Sequence, residues 1–462
     1  MGKSLVACGL LSALILMADK AGGQSALLFV SEKTATRAGG LVPLDRFSDE
    51  EMIHAVPGPS VVARKFFSIG FLNTMLGDED FDDNFLESDV VDEIDALALS
   101  PSFSGADPTL YDLVFSTQND FGEAYGPAID DGSLWRFDRP PTAGGFTSPV
   151  EIFLPTSVLQ AGLATTSGLD IDALAFAADG SLLLSFREDE LIQGDAVLVG
   201  DGGIVGFPAA SVVYAPDGDI STLGNNTAHI VLTESAVDSL VAGSGLLDFF
   251  SAPIVVINDL QGLAIDPSGG TFLGSDGSSW PHLLFCGSTT GPRILTTQGG
   301  IGSLNGVDLG DLLSPDASVF GLDGVTDEAD FTSLAVLPDA DVPLVVDWTT
   351  TGFSPSFLSD TLYLGNASPS APLLAVFSIE STTAGNSFAS FAFNHYRFPA
   401  LYTLPVYLLL PLGSADASGR ALLPVQFPPG ITFDVNLVLQ VIDNSGPELS
   451  APTILTYDAE GA

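Results

Sequence analysis

Positive charge is what this chain lacks most. Lys and Arg together number 13 in 462 residues, against 58 Asp plus Glu, for a formal charge of −45. The acid content is ordinary, so the imbalance comes from missing cations. So few basic groups cannot displace the counterions of a phosphate backbone or hold anionic lipid, which excludes nucleic-acid binding. Cations, cationic partners and neutral polymers such as glycans stay open. Cysteine is nearly absent too, with Cys8 and Cys286 alone. No HExxH, CxxC, GxSxG elbow, P-loop or complete GxGxxG occurs, and His54, His229, His282 and His395 are too scattered to suggest a ligand set. Beyond the N-terminus, the most apolar stretch is residues 401–412, broken by Pro405 and Pro411, so no membrane span is expected.

The N-terminus reads as a secretory signal over residues 1–23. Lys3 supplies a positive start, residues 5–18 an apolar segment, and Ala21-Gly22-Gly23 the small residues a peptidase needs. Leu5-Val6-Ala7-Cys8 matches a lipoprotein box by letters but precedes most of the apolar segment. A secreted product, extracellular or periplasmic, would keep only Cys286 and form no internal disulfide. Its stability must then come from packing. Cys286, in Leu-Leu-Phe-Cys, reads as a buried small apolar residue.

What the chain does contain is a phrase of seven residues, written four times. It runs Glu93-Ile-Asp-Ala-Leu-Ala-Leu99, Asp170-Ile-Asp-Ala-Leu-Ala-Phe176, Asp259-Leu-Gln-Gly-Leu-Ala-Ile265 and Asp330-Phe-Thr-Ser-Leu-Ala-Val336. Each copy opens on an acid, has a small residue fourth, and then Leu-Ala and an apolar residue. Three run on into Pro101, Pro267 and Pro338, the other into Asp179-Gly180, as a strand entering a tight turn would. Self-similarity at long intervals marks a repeat architecture. The 43 Asp against 15 Glu, with 49 Gly and 30 Pro, suit loop-rich β structure.

The central leucines, Leu97, Leu174, Leu263 and Leu334, lie 77, 89 and 71 residues apart. A propeller blade takes about 40 to 50 residues, so each interval predicts two blades, with every second first strand degenerate. Leu304-Asn-Gly-Val-Asp-Leu309 is a candidate hidden copy. Asp130-Asp-Gly-Ser-Leu-Trp-Arg-Phe137 and Gly194-Asp-Ala-Val-Leu-Val199 read as equivalent turn-strand units. The expectation is an all-β chain: a six- or seven-bladed β-propeller over residues 24–348, a linker over 349–360, and an Ig-like β-sandwich over 361–462. In the last part, apolar runs recur between turn clusters such as Asp416-Ala-Ser-Gly419 and Asp443-Asn-Ser-Gly446.

Residues 259–276, beginning Asp259-Leu-Gln-Gly-Leu-Ala-Ile-Asp-Pro-Ser-Gly, resemble the blade phrase of NHL-type and gluconolactonase-like propellers; residues 170–185 look like a second copy. The tail from Asp416-Ala-Ser-Gly-Arg420 to Leu449-Ser-Ala-Pro452 resembles a C-terminal β-module of many uncharacterised secreted bacterial proteins. The gluconolactonase resemblance implies a metal held in the channel by Glu, Asn and Asp side chains. Asn258 and Asp259 suit such parts, whereas Gln261-Gly262 stands where that family has Asn-Gly.

In a propeller the first strand of each blade lines the channel, so Glu93, Asp170, Asp259 and Asp330 would form a ring of carboxylates. Hard oxygen ligands of this kind suit Ca²⁺, the candidate cofactor. The alternative is that each acid bonds backbone donors at its own strand start and holds no ligand. At the third position Asp95 and Asp172 recur in only two copies, with Gln261 and Thr332 in the others. Asp78, Asp80, Asp82 and Asp89 fall at calcium-loop spacing, but Asp83 stands where that loop needs Gly. Trp280-Pro-His282 is the candidate ligand-contacting loop, able to stack on a sugar, or else a packed aromatic. The reading carried forward is a secreted, acidic, non-catalytic binding or scaffold protein whose partner is a glycan or an extracellular protein. The alternatives are a metal-dependent hydrolase of gluconolactonase type and a structural surface or matrix component.

Overall fold

A computed structural model describes residues 25–31, 35–36, 44, 46–47, 51–57, 62–67, 94–101, 111–118, 130–137, 150–194, 196–247, 251–257, 259–290, 293–309, 331–338, 344–348, 352–354, 358–379, 387–393, 396–402, 408–432, 435–445, 448–450 and 453–457. The protein is all-β, with many small sheets; the described residues hold two α-helices, Thr156–Leu163 and Glu234–Ser244. No helix among them is long and apolar enough to cross a membrane.

Each phrase forms a strand that pairs antiparallel with the next strand of its own sheet. The first, Ala96–Pro101, pairs with Tyr111–Ser116, which pairs with Leu134–Phe137 and that with Val150–Leu154. The second, Ile171–Phe176, leads Leu182–Phe186, Ile204–Phe207 and His229–Leu232. The third, Gly262–Ile265, leads Leu283–Cys286 and Leu295–Thr296. The fourth, Phe331–Leu337, pairs with Ala26–Ser31 from the start of the chain, followed by Ile53–Val56 and Val62–Lys65. The four phrase strands are neighbours in cyclic order: first against second, second against third, third against fourth, and fourth against first.

The period-two alternation of a strand explains how both faces of the second sheet become buried. Leu174, Phe176, Leu182 and Leu184 pack with Ala96, Val114 and Phe153 of the first sheet. Their chain neighbours Ala173, Ala175 and Leu183 pack with Leu263, Leu283 and Phe285 of the third. On the other side of the third sheet, Ala264, Leu284 and Cys286 pack with Leu27, Phe29 and Leu334 of the fourth. Fully burying each such leucine contributes about 1.5–3 kcal/mol. The small residue at the phrase's fourth place follows from this stacking. At Gly262 an added Cβ would lie 2.5 Å from Cys286 Sγ and 2.9 Å from Leu334 Cβ, on the neighbouring phrase strand.

One sheet per phrase, among the described residues, replaces the two expected from each interval. The surplus chain goes elsewhere. Hairpins Glu190–Ile192 with Val197–Val199, Val212–Tyr214 with Ile220–Leu223, and Thr271–Leu273 with Ser279–Pro281 decorate the sheets, as do the two helices. Thr233 caps Glu234–Ser244 by accepting the Ala236 N–H, while Val237 and Val241, one turn apart, are buried. The supposed hidden copy at Leu304 is a two-residue hairpin, Ser303–Leu304 with Val307–Asp308. Asn305 and Gly306 at positive φ (56° and 75°) make its turn. Val197–Val199 is likewise not the counterpart of Leu134–Phe137. That place, third in its sheet, belongs to Ile204–Phe207 after Asp201-Gly-Gly203.

Among the described residues the C-terminal part has two sheets of its own, while its hairpin Ser387–Phe393 with Tyr396–Tyr402 joins the sheet of the first phrase through a parallel bridge between Tyr396 and Tyr111. Ser359–Gly365 lies between Val345–Trp348 and Ala421–Gln426. The other runs Gly352–Phe353, Thr453–Tyr457, Val435–Asp443, Pro372–Ile379 and Leu408–Ser414. Leu362 and Leu364 of the first sheet share one apolar cluster with Leu373, Ala375, Leu439, Val441 and Tyr457 of the second.

Candidate functional site

Of the four acids that open the phrases, Asp170 and Asp259 are among the described residues; Glu93 and Asp330 lie outside them, as do Asn258 and residues 77–84. Asp95 and Gln261 lie just before their strands, and Asp172 and Thr332 sit where the strand register shifts; in the second phrase the third position is the more deeply placed. Asp95, Asp172 and Thr332 are each 3% exposed, and Gln261 is half-buried. The carboxyls of Asp95, Asp170, Asp172 and Asp259, from the first three phrases, lie close enough to act on one another. Among the described residues, no donor reaches the buried atoms Asp170 Oδ1, Asp172 Oδ2, Asp259 Oδ1, Gln261 Oε1 or Thr332 Oγ1.

The carboxyls feel one another strongly. Burial pushes Asp172 well above the usual carboxylate range; its hydrogen bond to Asp259 and the charges of Asp259, Asp95 and Asp170 push the same way. Burial also raises Asp259, although the bond from Asp172 and the Arg187 guanidinium oppose it. Asp170 is pushed up to about 6 by burial, against Arg187 and with help from Asp131, Asp259 and Glu188. Arg187 Nη1 stands 3.8 Å from Asp95 Oδ2 and 3.9 Å from Asp170 Oδ2, with its side chain 39% exposed. Among the described residues, Arg187 thus stands against Asp95 and Asp170 and acts on Asp259, so the carboxyls outnumber it. Such a surplus of negative charge, lined with oxygen, can take a hard cation or share protons.

A second acidic group lies alongside. Asp189, Asp201 and Glu234 bring their carboxylate oxygens within 4.8 Å of one another, with Asp189 and Glu234 exposed or half-exposed. Burial raises Asp201, with Asp259 and Asp189 adding to it and the Gly202 N–H opposing.

Trp280 and His282 do not offer an open stacking face. Trp280 is 3% exposed, its indole N–H donates to Ser278 Oγ at 2.6 Å, and its ring presses on Gly206, where an added Cβ would come within 2.5 Å. His282 is half-buried, with Nδ1 3.1 Å from Thr297 Oγ1 and its ring stacked on Phe272. The exposed histidine nearby is His229, whose Nδ1 lies 2.5 Å from Asp276 Oδ2.

Sequence reasoning set the third position aside because its residues differ between copies. The usable signal was chemical rather than literal: Asp, Asp, Gln and Thr have in common a side-chain oxygen.

No protein-family model and no curated protein matches the chain. Among solved structures, the extracellular domain of the hybrid two-component system BT3049 from B. thetaiotaomicron is similar at 8% identity and a TM-score of 0.20, over 93% of this chain and 55% of that one. The extracellular domain of the system BT4673 from the same organism is similar at 8% identity and a TM-score of 0.18, over 94% of this chain and 57% of that one. WR4, a C. elegans MSP family member, is similar at 15% identity and a TM-score of 0.15, over 25% of this chain and 96% of that one. This chain thus spans little more than half of the two bacterial chains.

Proposed function

We propose that the protein is a secreted, non-catalytic binding or scaffold protein built on a β-propeller of four blades, followed by a β-sandwich. The observation that carries this reading is the cyclic order of the phrase strands, with Ala26–Ser31 completing the last sheet beside Phe331–Leu337. Pairing the start of the chain with the end of the repeat region leaves no gap between first and last blades. In this reading Trp280 is packed inside, so a glycan or protein partner is met on exposed side chains of the decorating hairpins, such as Leu198, Val213 and Leu273. Ca²⁺ is the cation proposed for the axis.

Two measurements test it. Leu28 and Ala335 are cross-strand partners on the face turned away from Leu27, Phe29 and Cys286. The double variant Leu28→Cys/Ala335→Cys should form a disulfide in the folded protein; failure to cross-link would remove the closure. Steady hydrolysis of sugar lactones by the calcium-loaded protein, lost in Asp259→Asn, would replace the scaffold with the hydrolase.

A further inference from the structure

We propose that the outer face of the hairpin Glu190–Ile192 with Val197–Val199 docks a polypeptide segment that carries Arg or Lys beside apolar side chains. Leu191 and Leu198 are its apolar seat, and Asp189, Asp201 and Glu234 its charge partners. This docking role rests on the scaffold reading above and gives its partner a chemistry and a place.

The hairpin has two unlike faces. On the inner one, Ile192 and Val199 are buried in the apolar cluster of the first two sheets, with Val197 packed against it. Alternation along the strands turns Leu191 and Leu198 the other way. They are cross-strand partners, 44% and 59% exposed. Two leucines paired on an outer face add little to the core, whereas covering them gains about 25 cal/mol per Å² of apolar surface.

Acid lies at the foot of the same face. Asp189 precedes Leu191 by two residues, at most about 7 Å of chain. Gly200 follows Leu198 by two, and a Cβ added there would run into Glu234. Asp189, Asp201 and Glu234 bring their carboxylate oxygens within 4.8 Å of one another. Among the described residues, no ion pair includes any of the three. Burial, and then the charges of Asp201, Asp238 and Asp189, hold Glu234 above the usual carboxylate range. A second apolar group adjoins Glu234. A Cβ added at Gly202 would lie 3.2 Å from Glu234 Cγ and 3.3 Å from Ile257 Cγ2. Beside Ile257 in the chain stand Val255 and Val256, 53% and 43% exposed.

Charge complementarity chooses the occupant. A metal ion among the acids would leave the leucines in water, and a neutral glycan would leave the acids unanswered. A basic side chain meets both, its aliphatic stem along the leucines and its charged head among the carboxylates. Arg fits better than Lys, because its planar fork bonds carboxylate oxygens in pairs and sheds water more readily.

The test is fluorescence anisotropy of the full chain with a labelled synthetic peptide of alternating Leu and Arg, at physiological ionic strength. A peptide of alternating Leu and Gln is the comparison. Wild type should bind the arginine peptide and not the glutamine one. Leu191→Ser/Leu198→Ser should weaken binding by about tenfold or more, and so should Asp201→Asn/Glu234→Gln. Both leucines are exposed, so the first variant should keep the wild-type near-ultraviolet spectrum even if the second fails to fold. Asp179→Asn/Asp217→Asn removes the same two charges from exposed turns elsewhere and should bind as wild type. Undiminished affinity in the leucine variant, an equal loss in Asp179→Asn/Asp217→Asn, or displacement of the peptide by a modest excess of calcium overturns the docking surface. If wild type fails to bind the arginine peptide while Leu28→Cys/Ala335→Cys still cross-links and no lactone is hydrolysed, the docking surface falls and the scaffold stands. If the cross-link fails or the lactone is hydrolysed, the scaffold reading falls first.

Discussion

The ammonium of Lys65 lies 2.5 Å from Asp347 Oδ2 and 2.6 Å from Glu51 Oε1, with all three side chains buried. Lys65 closes the fourth sheet and Asp347 sits in the first strand of the C-terminal sheets, so this contact joins two parts of the chain 282 residues apart. In a protein with 13 basic residues, both this one and Arg136 lie buried. Removing one partner of a buried pair strands the others, at about 3–5 kcal/mol. Lys65→Met should therefore lower the melting temperature by several degrees, and more than Asp347→Asn does, because it takes the ammonium from two acids at once. Differential scanning calorimetry of the two variants checks the order.

The same lysine makes a pH prediction. Burial by itself would lower its pKa, but Glu51 and Asp347 outweigh burial and hold it above 10.5. A raised folded value means the stabilisation is complete below the unfolded pKa of about 10.4 and is lost as pH climbs through the folded one. Urea midpoints should fall above that pH in wild type. In Lys65→Met this part of the slope should vanish; an identical alkaline slope would rule out the lysine as its source.

Asp443 works in the opposite direction. It is fully buried, and its carboxylate accepts from the Ser368 N–H at 2.7 Å, the Ser445 N–H at 2.8 Å and the Ser445 hydroxyl at 2.6 Å. Burial acts to raise its pKa, yet these donors together hold it below the usual carboxylate value. The stabilisation is present above about pH 3.9 and lost as pH falls through the folded value. Asp443→Asn, which retains shape but loses charge, should cost about 1–3 kcal/mol at neutral pH. That deficit should shrink in acid unfolding titrations.

Gly262 should tolerate no side chain. With Cys286 Sγ and Leu334 Cβ both under 3 Å from an added Cβ, Gly262→Val overpacks the contact between third and fourth phrase strands. A loss of about 1–3 kcal/mol is expected. Cys286→Ala in the same chain should restore part of it, since the sulfur is the nearest obstacle; additive losses in the double variant would contradict that packing.

Trp280 should behave as core. Trp280→Ala should lower stability by about 3–5 kcal/mol, whereas Trp280→Phe should cost less. Neither should change affinity in a glycan array once the fraction folded is matched. Selective loss of sugar binding with stability intact would return this residue to a surface role.

Sequence by itself determined that this is a strand-built repeat protein, because the phrase carries its strand signals locally: apolar alternation, a small fourth residue and a turn at its end. It also marked Asp170 and Asp259, since an acid at one place in every copy is visible to the eye. The sheet count stayed hidden because hairpins and helices inserted within each interval add length without adding a sheet. Spacing alone cannot tell an inserted hairpin such as Glu190–Ile192 with Val197–Val199 from another blade. Only the tertiary structure decided that Ala26–Ser31 joins Phe331–Leu337, a pairing across some three hundred residues with no local trace. It likewise decided that Asp172 and Thr332 are buried. Burial is a property of what packs around a side chain, and those neighbours come from other copies of the phrase.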